Sequence, residues 1–288
     1  MNLSLPSWVA SWLGEELVQS HANGASWVAD VSEGERFRVI SLCIADAAEL
    51  DDEQLAVACR DAYLGIRDIL GSYSMVRVWN GVPGILDEAS NLRDRYMVFN
   101  AGRCAAFDAW FGAREADAFA AAMPAATGVG HASGDLSIHV LADKQPGVAV
   151  ENPRQQSAFR YSRRYGPQPP CFSRATRLVG PAANNEEYVL LSGTASIVGE
   201  ESTHVGDLAL QFDETLANLD ALILAAGGQG VHGMRDIRIY HTDEVSVTEL
   251  ETLVANSRIA SVPAIEFYPA VLCRESLQVE IEGLAVLS

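Results

Sequence analysis

The chain has 288 residues and a formal charge of −18, because 38 Asp and Glu residues outweigh 20 Lys and Arg residues. A protein this acidic repels phosphate backbones and anionic headgroups, which argues against nucleic acid and membrane partners. No run approaches the ~20 apolar residues that span a bilayer, and the N-terminus lacks the basic and apolar regions of a signal peptide. We therefore expect a cytoplasmic protein, and its hydrophobic content of 49% is enough to build packed cores.

Cysteine and histidine spacing predicts no metal site. The five cysteines are odd in number, widely scattered and free of CxxC pairs, which is typical of reduced thiols. The six histidines form no HExxH or HxH pattern, and neither a GxGxxG nor a Walker motif is present. The sequence therefore predicts neither a metal nor a nucleotide cofactor.

In the first half of the chain, apolar periodicity predicts strands and helices in alternation. The Trp-rich first 30 residues show no clear period. Strands are predicted at residues 36–44, 74–80 and 135–142, and helices at 51–70 and 91–111. The GVPG segment after residue 80 is expected to end the second strand, and Pro124 with ATGVGHASG to form a break before the third.

The second half repeats this order. Strands are predicted at residues 187–192, 236–240, 264–273 and 277–287. The clearest helix is predicted to begin after Asp207 as its N-cap and to stop at Gly227, because apolar residues recur every three or four positions between them. A shorter helix over 246–257 is predicted from a capping box of Ser246 and Glu249.

The order strand, helix, strand, helix, strand thus occurs twice, with a division near residue 145. Helices that follow strands in mixed sheets with hairpins favour an α+β fold over a doubly wound sheet. We expect two related α+β domains, residues 1–145 and 146–288.

Residues 160–177, RYSRRYGPQPPCFSRATR, hold five arginines and no acid within this acidic chain. Arginine binds carboxylates through two parallel hydrogen bonds, and the prolines of the segment stiffen it. With Tyr161 and Tyr165 interleaved, the segment predicts a preformed site for a polycarboxylate. The alternative is a solvated basic loop or a set of inter-domain salt bridges.

Two acidic side chains alternate with apolar ones near the C-terminus, in LQVEIEG. Because Val279 and Ile281 point to one face of the predicted strand, Glu280 and Glu282 point to the other. That face is either exposed to solvent or lines a cleft, where burial would raise the carboxyl pKa and allow proton transfer.

Two further segments carry candidate ligand contacts. In RYMVFNAGR, Tyr96 and Arg103 lie two helical turns apart on one face, either as a carboxylate clamp or as a core contact beside a surface cation. The small residues of LLSGTAS, which include Ala195, are expected to leave a strand into a tight turn where a ligand can approach the backbone.

Taken together, these segments resemble the chorismatase family, whose members remove pyruvate from chorismate. The matching segments run from about residue 75 to the end: VWNGVPGI, RYMVFNAGR, PAATGVG, ENPRQQSAFRYSRRYGPQPPCFSRAT, LLSGTASIVG with STHVGDLALQFDETLANLDAL, and LCRESLQVEIEG. The resemblance implies two related α+β domains with the layout of the reactive-intermediate-deaminase (Rid) or chorismate-mutase-like proteins. It also implies a reaction without a cofactor.

The resemblance assigns roles to individual residues as well. It implies that the two carboxylates of chorismate are held by Tyr96 with Arg103 and by Tyr161 with Arg174. It further implies that Glu280 is the catalytic acid, which protonates the enolpyruvyl methylene.

The product depends in this family on two positions, which are Ala195 and Cys273 here. Cysteine at 273 resembles members that form 3-hydroxybenzoate by an intramolecular route. Alanine at 195 resembles members that add water and form 3,4-dihydroxycyclohexa-1,5-diene carboxylate. We expect 3-hydroxybenzoate, because Cys273 can assist the ring rearrangement. A mixture of 3- and 4-hydroxybenzoate stays open, as does a purely space-filling Cys273.

A rival hypothesis from another class is a Rid-type imine deaminase or a small-molecule binding protein, and the Rid enzymes need only one arginine. The pairing of Arg103 and Arg174 with Glu280 separates the two hypotheses. We expect chorismate as the small-molecule partner and a monomer or small homo-oligomer.

Overall fold

The computed structural model describes residues 3–90, 93–112, 117–181 and 186–287. The chain forms two six-stranded mixed sheets, one from strands between Val18 and Asp143 and the other from strands between Val148 and Val286. Helices cover one face of each sheet. The predicted class, α+β with mixed sheets covered by helices, is confirmed. None of the helices in these ranges is long and apolar enough to cross a membrane.

Four α-helices and eight strands build the first half of the described chain. The helices are α1 (Trp8–Leu13), α2 (Asp52–Leu70), α3 (Arg95–Phe111) and α4 (Asp117–Ala122). The strands are β1 (Val18–Asn23), β2 (Val28–Glu33), β3 (Phe37–Ile44), β4 (Ser74–Pro83), β5 (Glu88–Ala89), β6 (Arg93–Asp94), β7 (Ala125–His131) and β8 (Leu136–Asp143). The sheet order is β1-β2-β3-β8-β4-β7, and within it β4 and β7 run parallel.

The second half repeats this plan. Its helices are α5 (Leu208–Ala225) and α6 (Val247–Ala255). Its strands are β9 (Val148–Val150), β10 (Ala175–Val179), β11 (Glu187–Ala195), β12 (Ile197–Val198), β13 (Glu201–Ser202), β14 (Met234–His241), β15 (Ala264–Pro269) and β16 (Val279–Val286). The sheet order is β15-β14-β16-β11-β10-β9, with β14 and β15 parallel. The predicted boundary at residue 145 falls between the two sets of strands, and as a domain boundary it stays a prediction.

The two sheets lie face to face, and a hydrophobic cluster fills the space between them. Trp79 and Leu141 of the first sheet contribute to it, together with Leu190 and Leu284 of the second and Trp12 of α1. The layers are therefore helices, sheet, sheet, helices. Polar side chains on the inner faces are shut off from water, so each needs a partner inside the protein.

Most of the predicted elements are present with shifts of a few residues. Asp51 and Asp207 cap α2 and α5, since each side chain accepts a hydrogen bond from a backbone N–H of the first turn. The predicted capping box at α6 is wrong, because the Ser246 side chain makes no cap hydrogen bond. The predicted helix at 91–111 begins at Arg95, and residues 91 and 92 lie outside the described part of the chain.

The predicted break at ATGVGHASG is wrong, because β7 occupies most of this segment. Its glycines permit close packing instead of a turn: a Cβ atom on Gly130 would lie 2.6 Å from Cγ2 of Ile85. β4 likewise continues to Pro83 and does not end at Asn80. The Trp-rich start, which showed no period, forms α1 and β1, and β2 begins at Val28.

Candidate active site

A cavity of about 640 Å³ lies between the arginine-rich loop of residues 160–177, the start of α3, β11 and the segment before β16. Six of the seven predicted site residues line it, namely Tyr96, Tyr161, Arg174, Ala195, Cys273 and Glu280. The seventh, Arg103, lines a smaller cavity of about 30 Å³ that shares Tyr96, Cys273 and Glu280 with the first. The fold therefore brings all seven to one contiguous region.

Glu280 lies on β16, a strand inside the second sheet with both faces buried. The residue is 5% exposed, so the solvent-exposed alternative is wrong. Burial and the neighbouring Glu282 carboxyl raise the pKa of Glu280 to about 8, against the opposing effect of three arginines. Glu280 therefore holds its proton at neutral pH.

The strand β11 runs beside Glu280 and shapes its surroundings. It continues through Gly193 to Ala195, so the predicted tight turn at LLSGTAS is wrong. Instead, its pairing with β16 shifts register between Leu191 and Thr194. A Cβ atom on Gly193 would lie 1.9 Å from Oε1 of Glu280, so a residue without a side chain is required there. Ala195 pairs with Glu280 across the strands and lines the cavity.

Arg174 is held beside the cavity by contacts that leave part of its guanidinium free. Its Nη2 donates to Oη of Tyr161 and to the carbonyl of Gln156, each at 2.7 Å. The residue is 4% exposed, and its buried Nε has no hydrogen-bond partner among the described residues. A buried guanidinium with an unused donor is suited to an anionic ligand.

Arg103 reaches the site from α3. Its Nη2 donates to Oδ1 of Asn100 at 2.7 Å, and its buried Nε has no partner within the described ranges. Tyr96, two turns earlier, lines the same small cavity. Burial raises the pKa of Tyr96, so its hydroxyl keeps its proton and can donate.

The chain is similar to known proteins along most of its length. Residues 10–142 match the family model described as chorismatase FkbO/Hyg5-like, N-terminal. The chain is 36% identical over 237 residues to a chorismatase of Streptomyces rapamycinicus. This match covers 77% of this chain and 68% of the relative. The chain belongs to the chorismatase family. It is also 35% identical over 242 residues to a 3-hydroxybenzoate synthase of Streptomyces hygroscopicus, covering 80% of this chain and 69% of that one.

A solved chorismatase structure has the same fold, with a TM-score of 0.80 over 94% of this chain and 80% of that chain, at 24% identity. The family model begins at residue 10, so the similarity extends ahead of the motifs that carried the resemblance. The chain is an enzyme of the chorismatase family.

Two arginines of the loop in this chorismatase family member form salt bridges, and one of them, Arg164, also lines the rim of the cavity with its partner Glu201. Arg164 pairs with Glu201 at 2.5 Å in an exposed position, and Arg177 pairs with Glu187 at 2.7 Å. The salt-bridge alternative therefore describes part of the loop, while the interior position is specific to Arg174.

Sequence reasoning missed Arg274 as a cavity residue of this chorismatase family member. Its guanidinium lies 4.0 Å from the ring centroid of Tyr165, and its Nη1 donates to the carbonyl of Glu200 at 2.8 Å. It therefore joins the arginine-rich loop to the segment before β16. Arg274 directly follows Cys273 inside the family segment LCRESLQVEIEG, and this position could have indicated that it lies at the site.

Cys273 of this chorismatase family member is a thiol and not a thiolate at neutral pH. Burial and the carboxyl of Glu280 raise its pKa to about 12. The group can fill space or donate a weak hydrogen bond, but it is not an activated nucleophile.

A buried polar cluster of Arg77, Trp79, Thr127 and Glu282 adjoins Glu280, and of its members the sequence analysis singled out Glu282 alone. Each of its four members is at most 2% exposed. Arg77 and Glu282 are 205 residues apart in the chain, yet Nη2 lies 2.6 Å from Oε2. Only the face-to-face packing of the two sheets brings them together.

Proposed function

We propose that the chain converts chorismate into pyruvate and 3-hydroxybenzoate, with Glu280 as the acid that protonates the enolpyruvyl methylene. The observation that carries this proposal is the buried, protonated carboxyl of Glu280 in a region that also holds free donors of Arg103 and Arg174. The chorismatase and the 3-hydroxybenzoate synthase among the relatives support the same reaction.

The reaction requires a proton on carbon before a carbon–oxygen bond can break. The electron pair of the enol ether double bond takes the proton of Glu280 at the methylene, which leaves an oxocarbenium-like centre. The bond between that ether oxygen and the ring then breaks with its electron pair going to the oxygen, and pyruvate leaves. The ring hydroxyl oxygen attacks the electron-poor ring carbon, and the proton that the ring loses as it becomes aromatic returns to Glu280. A positioned acid contributes roughly 10²–10⁴-fold to a proton transfer of this kind.

The two carboxylates of chorismate are assigned to two pairs of residues, Arg174 with Tyr161 and Arg103 with Tyr96. Each arginine is buried, and each lines a cavity together with its tyrosine. Two fixed cations attract a dianion into an otherwise acidic protein, and they hold it in the reacting conformer. A second arginine beside Glu280 favours this substrate over the small imine of the rival Rid-type hypothesis.

The balance of atoms separates the two product types. Pyruvate and 3-hydroxybenzoate together contain the atoms of chorismate, so the proposed route consumes no water. The alternative route to 3,4-dihydroxycyclohexa-1,5-diene carboxylate takes up one water. Cys273 supports the route to 3-hydroxybenzoate, because its neutral thiol can donate a hydrogen bond during the ring rearrangement. Ala195 resembles members that add water, so the diene product and a mixture with 4-hydroxybenzoate are the alternative outcomes.

Incubation of the purified protein with chorismate tests the proposal. Pyruvate is measured with a coupled assay, and the aromatic product is separated by chromatography. We expect equal amounts of pyruvate and 3-hydroxybenzoate. Absence of pyruvate would overturn the proposed reaction, and pyruvate with the diene product alone would overturn the product assignment. The cytoplasmic location and the monomer or small homo-oligomer stay predictions.

A further inference from the structure

The inner faces of the two sheets carry a closed group of polar side chains beside Glu280. Arg77 and Trp79 come from β4, and Thr127 comes from β7. Glu282 follows Glu280 by two residues on β16, so both carboxyls project from the same face of the strand. Residues of the first sheet therefore contact Glu282, the neighbour of the proposed acid.

The hydrogen bonds of this group determine where its protons lie. A threonine hydroxyl has one proton to donate and two lone pairs to accept with. Oγ1 of Thr127 accepts from Nη2 of Arg77 at 2.6 Å and from the backbone N of Gly193 at 3.0 Å, so its proton goes to Oε2 of Glu282. Oε2 also accepts from Arg77 at 2.6 Å, and Oε1 accepts from Nε1 of Trp79 at 2.8 Å. Every partner donates to Glu282, which is therefore an ionised carboxylate.

We propose that Glu282 is a positioning residue that keeps Glu280 protonated, and that Thr127 holds Glu282 in its charged form. This inference rests on the proposed role of Glu280 as the acid. The backbones of residues two apart on a strand are separated by roughly 6.6 Å, so their side chains are neighbours on one face. A fixed negative charge on a neighbouring side chain in a buried site strongly opposes a second one. The pKa of Glu280 agrees, since Glu282 is the largest cause of its rise after burial.

Thr127 also sets the position of the acid. By accepting from the N–H of Gly193, its hydroxyl holds this part of β11 in place. Gly193 is the residue whose missing side chain leaves room for Oε1 of Glu280. One hydroxyl thus links the charge of Glu282 to the space in which the Glu280 carboxyl lies.

Other titratable and charged groups face Glu280 from the surrounding elements. They are Arg77 of β4, Tyr96 and Arg103 of α3, Arg174 of the loop, Tyr240 of β14, and Cys273 and Arg274 before β16. Burial raises the pKa values of the two tyrosines and the cysteine, so these three groups are neutral near pH 7. The arginines favour ionisation of Glu280. Among carboxyl groups, Asp94, Glu201 and Glu275 line the same cavity, and Glu282 is the charged group that contributes most to the raised pKa of Glu280.

The pH dependence of turnover tests this assignment, with Glu282→Gln compared to the charge-conserving control Glu282→Asp. In the parent, kcat/KM for chorismate is expected to fall above about pH 8, as Glu280 loses its proton. In Glu282→Gln the fall moves to lower pH by between about one and two units, because the opposing charge is gone. In Glu282→Asp the pH at which kcat/KM falls stays near that of the parent. An unmoved fall in Glu282→Gln overturns the proposal.

If Glu282→Gln does not fold, Thr127→Val takes its place, with Thr127→Ser as the matched control. Loss of the hydroxyl removes a hydrogen bond that holds the charged carboxylate of Glu282 in place, so Glu282 opposes ionisation of Glu280 less. We expect the fall in kcat/KM to move to lower pH in Thr127→Val and to keep its parental position in Thr127→Ser. The same pH profile in Thr127→Val as in the parent overturns the proposal.

Infrared spectroscopy reads protonation without turnover, so it separates failure of this inference from failure of the proposed function. The spectrum of Glu280→Gln is compared near pH 7 with that of Glu280→Gln combined with Glu282→Gln. We expect the second substitution to remove a carboxylate band. The bands of protonated carboxylic acids should stay unchanged. Loss of a protonated carboxylic acid band would show that Glu282 carries a proton, which overturns the inference whatever substrate the enzyme uses.

Discussion

Gly193 leaves open the space that Oε1 of Glu280 occupies, since a Cβ atom at position 193 would lie only 1.9 Å from that oxygen. The arrangement arises where β11 and β16 shift register, and the N–H of Gly193 is fixed by Thr127 at 3.0 Å. The position of the proposed acid is therefore set by a neighbouring strand as well as by its own.

Replacement of Gly193 by alanine should displace the Glu280 carboxyl. We expect kcat for pyruvate release to fall about 100-fold, because a misplacement of about 1 Å at a reacting group costs that much. Gly134→Ala is the matched control, since its Cβ would meet Cβ of Ala48 at an ordinary 3.9 Å. Parental kcat in Gly193→Ala would contradict the positioning of the acid by β11.

Glu280→Gln keeps the shape of the acid and removes its proton. We expect kcat to fall by roughly 10²–10⁴-fold with KM for chorismate little changed, because the proton is used in the transition state and not in binding. Glu251→Gln, at an exposed position of α6, is the control for loss of one carboxylate. Full turnover in Glu280→Gln would remove Glu280 from the mechanism.

The stability of the parent should decrease with rising pH because of Glu280. Its folded-state pKa of about 8 lies above the ordinary value of 4.5, so the unfolded chain releases this proton at lower pH than the folded chain does. The contribution of Glu280 to stability is complete below pH 4.5 and is lost as the pH rises to about 8, at ~1.4 kcal/mol per pH unit. Urea unfolding across this window should show a steeper decline for the parent than for Glu280→Gln. Parallel curves would exclude a raised pKa.

Arg174→Met should weaken substrate binding. A hydrogen bond to a charged group contributes about 1.5–3 kcal/mol, so we expect KM for chorismate to rise roughly 10- to 100-fold. Arg160→Met is the matched control within the same loop, because Arg160 is exposed and its guanidinium lies over the ring of Phe159 at 5.7 Å. An equal rise in both variants would point to the general charge of the loop and not to a specific contact.

Cys273→Ala should change the product more than the rate. Because Cys273 is a neutral thiol, it takes no part as a thiolate in pyruvate release. We expect pyruvate release within about tenfold of the parent, with a smaller share of 3-hydroxybenzoate and a larger share of the diene product on chromatography. Cys273→Ser keeps a donor and should keep more of the parental product. An unchanged product mixture in both variants would leave Cys273 with a space-filling role.

Apolar spacing and capping residues predicted correctly those helices whose formation depends on residues close together in the sequence. The helices α2 and α5 follow from three- and four-residue apolar spacing and from the caps Asp51 and Asp207. The same reasoning failed at β7, whose glycines look like a turn in sequence. Their purpose is close packing against groups such as Ile85, which only the folded chain brings near.

The sequence by itself determined the α+β class, the family through its motifs, and the seven candidate site residues. Only the tertiary structure decided that Glu280 is buried and protonated, because alternation along a strand does not tell which face meets water. That outcome depends on two sheets packed face to face and on partners such as Arg77, which lies 205 residues from Glu282 in the chain. Desolvation and charge act through space, so the proton on Glu280 is a property of the fold and not of the motif that contains it.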